Sequence, residues 1–338
     1  MSGEALKTKL RAMRGGLLKR NDYISLSRLG SVEEVGASLK NFPGYDRALG
    51  PLSSERLRRA PLERRLVFSL TDDYADIRRF VTGYRVRGLM ENFFLKYEIR
   101  IIQTLITNIS DERPGGFDPE ELNRETRSVF NIKLAGLLSA KTVPELIAGL
   151  KGTAYYPVLS RVYRGDISPF TLVNQLDLFY YLNLWDKVNG YGDKKEIEPL
   201  RRVVGTEIDL KNIIWVYRFK RYRTEASTIF AHLIPAGYAM SMPELKRIAE
   251  AGGESAAKKY KRVFVKDASL EACYHSKMIE TMERVFKKEP DSAALIFAYL
   301  FFKELEIYNV TSLIEGVRYG LPPSDILSYL SLPGTGVN

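Results

Sequence analysis

A short pattern that occurs three times constrains the fold of this 338-residue chain more than any other feature. The pattern is an acidic residue, then Ile or Leu, any residue, Ile or Asn, Ile or Val, and an apolar residue three positions later. Its acidic residues are Glu98, Asp209 and Glu306. Apolar residues at these intervals lie on one side of a helix, so each copy predicts a helix with one buried face.

A second pattern precedes each copy at nearly constant distance. Ser31, Thr142 and Ser241 are each followed three positions later by Glu, which is the capping-box sequence of a helix start. They precede the acidic residues by 67, 67 and 65 positions. Two patterns that recur in the same order predict three copies of one helical unit. The predicted helical repeats are residues 1–114, 115–224 and 225–338, with terminal helices that can cross between repeats.

Helical periodicity dominates the rest of the chain as well. No stretch shows the strand alternation, bounded by hairpin turns, that would predict a sheet. Residues 53–108 are helical in pattern, and we expect one break at Leu70–Thr71. The apolar run at 293–302 predicts a buried core helix, since ten residues fall well short of the roughly 20 that span a bilayer. The predicted fold class is all-α, with three pseudo-repeated domains.

The copy around Asp209 has the clearest surface pattern. Thr206 and Asp209 are typical of a helix N-terminus, so we expect a helix to begin there. Arg218, Lys220 and Arg221 place positive charge at its other end, which the helix dipole favours by about 0.3–1 kcal/mol each. These cations are either an ordinary solvated helix end or a surface that faces a partner.

Charge and cysteine content narrow the function classes. The formal net charge is +10, which favours an acidic partner such as nucleic acid, an anionic membrane surface or an acidic protein. Cys273 is the only cysteine, so an internal disulfide is excluded and a buried core position is expected. The N-terminal residues lack the apolar segment of a secretory signal.

Sequence signatures of catalysis are absent. The chain has no phosphate-binding loop, no dinucleotide-binding glycine pattern and no nucleophile elbow. Its two histidines lack partners at metal-ligand spacing, and His232 is expected in the core. The three acidic residues recur at equivalent places, which is typical of packing or capping residues. We therefore expect no catalytic residue, no cofactor, no metal and no small-molecule substrate.

Three segments together resemble a known family. They are RAMRGGLLKRNDYISLSRLGSVEEVGASL at 11–39, EIDLKNIIWVYRFKRY at 207–222 and LIPAGYAMSMPELKRIAEA at 233–251. They resemble the central-stalk C protein of archaeal and bacterial A/V-type ATPases, whose eukaryotic counterpart is the d protein of V-ATPases. The resemblance spans essentially the whole chain. One departure is Ile101, which stands where the other two copies have Asn212 and Asn309.

The resemblance implies a function as well as a fold. It implies a funnel of three helical domains that is part of the rotor and hydrolyses nothing. The funnel would sit on the cytoplasmic face of the membrane, on the proteolipid ring that moves protons or sodium ions. It would receive the lower end of a central shaft built from D-type and F-type subunits. We predict that Arg218, Lys220 and Arg221 lie at a surface that contacts such a partner.

Two other functions remain open at this point. Aromatic residues interleaved with cations, as in VYRFKRYR, could stack on bases, so one alternative is an α-helical basic nucleic-acid-binding adaptor. The other is an enzyme whose site has no recognised motif, which would need a pocket with converging reactive groups.

Overall fold

The structure is a computed structural model, and the residues that it describes contain no strand. The described residues are 3–50, 52, 59–112, 132, 134–163, 167–192, 194–251, 269–288 and 293–333. The prediction of an all-α fold is therefore confirmed. The chain divides into two compact units. The boundary expected at 114/115 lies outside the described residues, and the three-repeat division stays a prediction.

The first unit comprises Met1–Gly83, Lys194–Val203 and Tyr260–Asn338. Its helices are α1 (Gly3–Gly15), α2 (Arg20–Leu26), α3 (Val32–Leu39), α4 (Asp46–Leu49), α5 (Arg59–Arg78), α14 (Leu270–Lys288), α15 (Ala294–Arg318) and α16 (Pro323–Ser328). Helix α15 is the centre of this unit, with every residue from Ala294 to Lys303 buried. It packs against α1, α2, α3, α5, α14 and α16. The core helix predicted at 293–302 is confirmed, and Cys273 is buried on α14.

The second unit comprises Tyr84–Asp193 and Val204–Lys259. Its helices are α6 (Tyr84–Ser110), α7 (Leu134–Leu138), α8 (Val143–Gly149), α9 (Tyr155–Val162), α10 (Pro169–Asn189), α12 (Ala226–His232), α13 (Met242–Ala251) and the larger part of α11 (Lys194–Arg221). Helices α6 and α10 pack along each other, and α9 packs on α10. Their buried faces include Leu105, Leu176 and Leu184.

All three predicted capped helix starts are present. The Ser31 hydroxyl accepts a 3.2 Å hydrogen bond from the Glu34 amide at the start of α3. Thr142 does the same for the Glu145 amide at the start of α8, at 3.3 Å. At α13 the Ser241 amide donates to the Glu244 carboxylate at 2.8 Å. These bonds satisfy amide protons that a helix N-terminus otherwise leaves unpaired.

The helix start predicted at Thr206 is wrong. Helix α11 runs without interruption from Lys194 to Arg221, and Thr206 is buried within it. Gly205 marks a close contact and not a break, because a Cβ there would lie 2.7 Å from the Cβ of Tyr238. The Tyr238 amide also donates to the Gly205 carbonyl at 3.3 Å. A glycine in a helix costs about 1 kcal/mol relative to alanine, and here it allows another backbone to approach.

The break predicted at Leu70–Thr71 is also wrong. Helix α5 continues to Arg78, and the break lies at 79–83. The Thr71 hydroxyl donates to the Phe68 carbonyl at 2.7 Å, so its polar group is satisfied inside the helix. A β-branched residue with this bond is tolerated in a helix that is held by packing.

Candidate functional site

The three repeated carboxylates are buried and hydrogen-bonded to segments distant from them in sequence. Glu98 accepts a 2.5 Å bond from the Tyr155 hydroxyl on α9, and burial followed by the Glu98 charge raises the pKa of that phenol. Asp209 accepts a 2.7 Å bond from the Ala239 amide. The Glu306 carboxylate accepts a 2.5 Å bond from the amide of Leu18. These contacts agree with the packing role expected from their recurrence.

Two asparagines each lie three residues after one of the repeated carboxylates. The side chain of each binds both the amide and the carbonyl of one residue that is distant in sequence. The Asn212 side chain donates to the Ile234 carbonyl at 2.9 Å and accepts from its amide at 2.8 Å. Asn309 makes the same pair of bonds with Ser331, both at 2.9 Å. In each case the bound residue follows the asparagine by 22 positions. Ile101, at the matching place in α6, has no polar group with which to do this.

Lys303 is a buried cation that sequence reasoning missed. Its Nζ lies 3.0 Å from Glu306 and 3.9 Å from the ring centroid of Tyr45, and its side chain is fully buried. The Tyr45 hydroxyl donates to Glu306 at 2.8 Å. Burial, followed by the Glu306 charge, raises the pKa of Tyr45. The available signal was a lone lysine in the apolar run LFFKEL, since a lysine there is buried only with a partner.

The predicted partner-facing cations lie on the last turn of α11. This basic end of α11 consists of Arg218, Lys220 and Arg221. Arg218 and Arg221 are exposed, whereas Lys220 is half-buried and its Nζ donates a 3.3 Å bond to the Glu250 carbonyl on α13. The structure thus brings all three together on one helix turn.

Half-buried polar and charged residues of α6, α10 and α11 lie in the same unit as the basic end. Gln103 on α6 donates to Asp177 on α10 at 2.8 Å, while burial raises the pKa of that carboxyl. Burial lowers the pKa of Lys211 on α11, and Glu207 opposes this change. Arg218, two turns further along, also lowers the pKa of Lys211. The charge of Arg218 thus acts on a half-buried lysine of the same helix.

Three aromatic rings adjoin the basic end and form what we name the aromatic cluster. Phe170 opens α10, Phe219 lies on α11, and His232 ends α12. The ring centroids of Phe170 and Phe219 are 5.4 Å apart, and His232 lies 5.7 Å from Phe170 and 5.3 Å from Phe219. His232 is half-buried here and not in the core, which corrects the sequence expectation. Phe170 is 53% exposed, so the cluster presents apolar surface to solvent beside the cations.

The described part of the chain contains neither a metal-binding cluster nor a membrane-spanning helix. No group of three or more His, Cys, Asp or Glu side chains is arranged there to hold a metal ion. Among the helices within it, none combines the length and the apolar character that a membrane span requires. Buried charges such as Lys303 and Glu306 are paired, as structural charges in a core must be.

Comparison with known proteins places these features in a family. The family described as ATP synthase (C/AC39) subunit matches residues 6–329. A protein of Methanocaldococcus jannaschii, named as the C subunit of an A-type ATP synthase, is 25% identical over 96% of this chain and 85% of its own length. Proteins named in the same way from Pyrococcus abyssi and Methanosphaera stadtmanae are 25% and 23% identical over 94% and 95% of this chain, and 87% and 86% of theirs. The family match spans nearly the whole chain, which therefore belongs to the ATP synthase (C/AC39) subunit family.

Proposed function

We propose that this chain is a non-catalytic rotor subunit that couples a central shaft to a membrane proteolipid ring in an A-type ATP synthase. It transmits rotation during transport of protons or sodium ions, and it lies at the cytoplasmic face of the membrane. Its partners are shaft subunits of the D and F type and the ring. The basic end of α11 is one of its contacts with these partners.

The observation that carries this proposal is the concentration of cations on one rigid helix turn. Arg218 and Arg221 are exposed at the end of a helix of 28 residues whose apolar side is buried. Densely packed helices deform little under load, which suits a part that transmits torque. Exposed cations of one sign attract an acidic partner and orient its approach.

The dense core of α15 supports the same function. Eighteen of its residues are buried, including the ion pair of Lys303 with Glu306. A helix surrounded in this way is a stiff axis for the unit around it.

Charge reversal tests the proposed contact. Arg218→Glu, Lys220→Glu and Arg221→Glu together should lower recovery of the shaft and ring subunits about tenfold or more, because attraction becomes repulsion. The measurement is a pull-down with the tagged chain as bait from solubilised membranes of the organism that encodes it, quantified by mass spectrometry. Circular dichroism should show unchanged helix content.

A matched control separates a local contact from net charge. Lys151, Arg161 and Lys187 are exposed cations of the same unit that belong to segments other than α11. Their combined reversal to Glu changes the net charge equally and should leave recovery near the wild-type level. Equal losses from both triple variants would show that the basic end is no specific contact.

A further inference from the structure

Within the described residues, three long helices end with a residue in the left-handed backbone region. These residues are Glu112 after α6, Arg223 after α11 and Gly320 after α15, with φ of 53°, 56° and 66°. Each follows the acidic residue of its helix motif by 14 positions. Glycine is the usual residue at such a helix end, because a side chain clashes with the backbone there.

The ends of α11 and α15 form the same hydrogen-bonded motif. At α11 the Thr224 amide donates to the Phe219 carbonyl at 3.2 Å and the Arg223 amide to that of Lys220 at 3.0 Å. At α15 the corresponding bonds, from Leu321 to Gly316 and from Gly320 to Val317, are both 3.0 Å. The two backbones thus make the same turn, one with glycine and one with arginine. The turn itself gives no reason for arginine.

No contact of the Arg223 side chain within the described residues offsets this backbone cost. The residue is exposed, and its side chain forms no hydrogen bond or ion pair in that part of the protein. Residues in sparsely populated backbone regions are concentrated at binding and catalytic sites. Glu112 has the same left-handed backbone, so this feature alone does not single out Arg223, and what distinguishes Arg223 is its place beside the basic end of α11.

The surroundings of Arg223 define the chemistry of a partner. Arg223 lies two positions after Arg221, and Tyr222 between them is 82% exposed. Phe219, a member of the aromatic cluster, accepts through its carbonyl one of the two hydrogen bonds of this turn. Arginine and aromatic side chains together are typical of protein interfaces, where guanidinium groups bind carboxylates through two parallel hydrogen bonds.

We propose that Arg223 binds a carboxylate of an acidic protein surface, and that an apolar side chain of the same partner packs on Phe170. This inference rests on the proposed function, since it describes the partner of the basic end. A protein fits better than a nucleic acid, because the chain belongs to a family of ATP synthase subunits, and a subunit contacts other proteins of its complex. The Phe170 ring meets the Phe219 ring at 89° and remains 53% exposed, which leaves apolar surface for such a contact.

Arg223→Gly tests the proposal through two opposite effects. Glycine relieves the left-handed turn, so the melting temperature of the purified chain should rise by about 2–4 °C. Loss of the guanidinium should at the same time weaken recovery of the shaft and ring subunits in the pull-down by about tenfold. Arg223→Lys keeps the charge but lacks the planar guanidinium group. Its recovery of the partners should lie between that of wild type and that of Arg223→Gly.

Glu112→Gly is the matched control. It removes the side chain from a left-handed residue at the end of α6 and should raise the melting temperature similarly, while recovery of the partners stays at the wild-type level. Wild-type recovery with Arg223→Gly would overturn the proposal, as would a fall in its melting temperature. Binding of a labelled single-stranded oligonucleotide that depends on Arg223 would overturn the choice of a protein partner. Because the charge-reversal triple leaves Arg223 in place, loss of recovery in that variant alone would retain the proposed function and reject this inference.

Discussion

Helices α11 and α15 contain the same motif, but its side chains bind different backbone segments. On α11 the carboxylate and the asparagine bind one continuous segment, since Ile234 bonds to Asn212 and Ala239 bonds to Asp209. On α15 the carboxylate and the asparagine bind two segments from opposite ends of the sequence. Ser331 binds Asn309, and Leu18 binds Glu306. The motif therefore specifies a helix face that binds non-helical backbone, while the rest of the chain decides which segment is bound there.

The electrostatics of the two faces differ as well. Three residues before its carboxylate, α15 has the buried Lys303, whereas α11 has Thr206. Close to Asp209 lies Gly237, where a Cβ would come within 2.0 Å of the carboxylate oxygen. The α15 face thus includes a buried ion pair, and the α11 face relies on close approach of the backbone.

The largest expected effect comes from removing the Glu306 charge. Glu306→Gln leaves the buried Lys303 cation without its counter-ion and should lower the free energy of unfolding by about 3–5 kcal/mol. Asp209→Asn removes a charge that accepts a backbone bond and should cost about 1–3 kcal/mol. Urea denaturation followed by circular dichroism measures both.

A double variant sharpens this comparison. Lys303→Met combined with Glu306→Gln removes both charges of the pair and should recover much of the stability lost in Glu306→Gln, since apolar packing can replace a buried ion pair. Equal costs for Glu306→Gln and Asp209→Asn would show that the ion pair does not distinguish the two faces.

The asparagines should have a smaller effect, and an unequal one. Asn212→Ala leaves the buried amide and carbonyl of Ile234 without partners and should cost about 2–3 kcal/mol. Asn309→Ala should cost about 1–2 kcal/mol, because water can reach the partly buried bonds to Ser331. The same denaturation experiment measures both. A larger loss for Asn309→Ala would contradict the order that burial predicts.

Periodicity and capping were enough to predict the helical fold and the three repeated helix starts. Ser31, Thr142 and the core helix at 293–302 all lie where short-range pattern placed them, since caps and apolar stripes are local signals. The helix start at Thr206 failed because Gly205 serves a contact with Tyr238, which lies 33 positions later. A local sequence pattern cannot indicate a contact between residues that are so far apart in the chain.

The candidate site was predictable in part for the same reason. The charges of the basic end are local, and the structure places them together on one turn. The aromatic cluster joins Phe170 to His232 across three helices, and the ion pair of Lys303 depends on the burial of α15. These features arise only from tertiary packing.

The smallest expected effect comes from placing an arginine at the end of α15, where the chain has a glycine. Gly320→Arg gives α15 the left-handed arginine that α11 has, and it should lower the free energy of unfolding by about 1 kcal/mol. The corresponding fall in melting temperature is about 2–4 °C, opposite in sign to the change expected for Arg223→Gly. Gly320→Asn should be milder, because asparagine tolerates this region better. An unchanged melting temperature for Gly320→Arg would mean that this turn accepts arginine without strain, and the presence of Arg223 at the end of α11 would then need no partner to explain it.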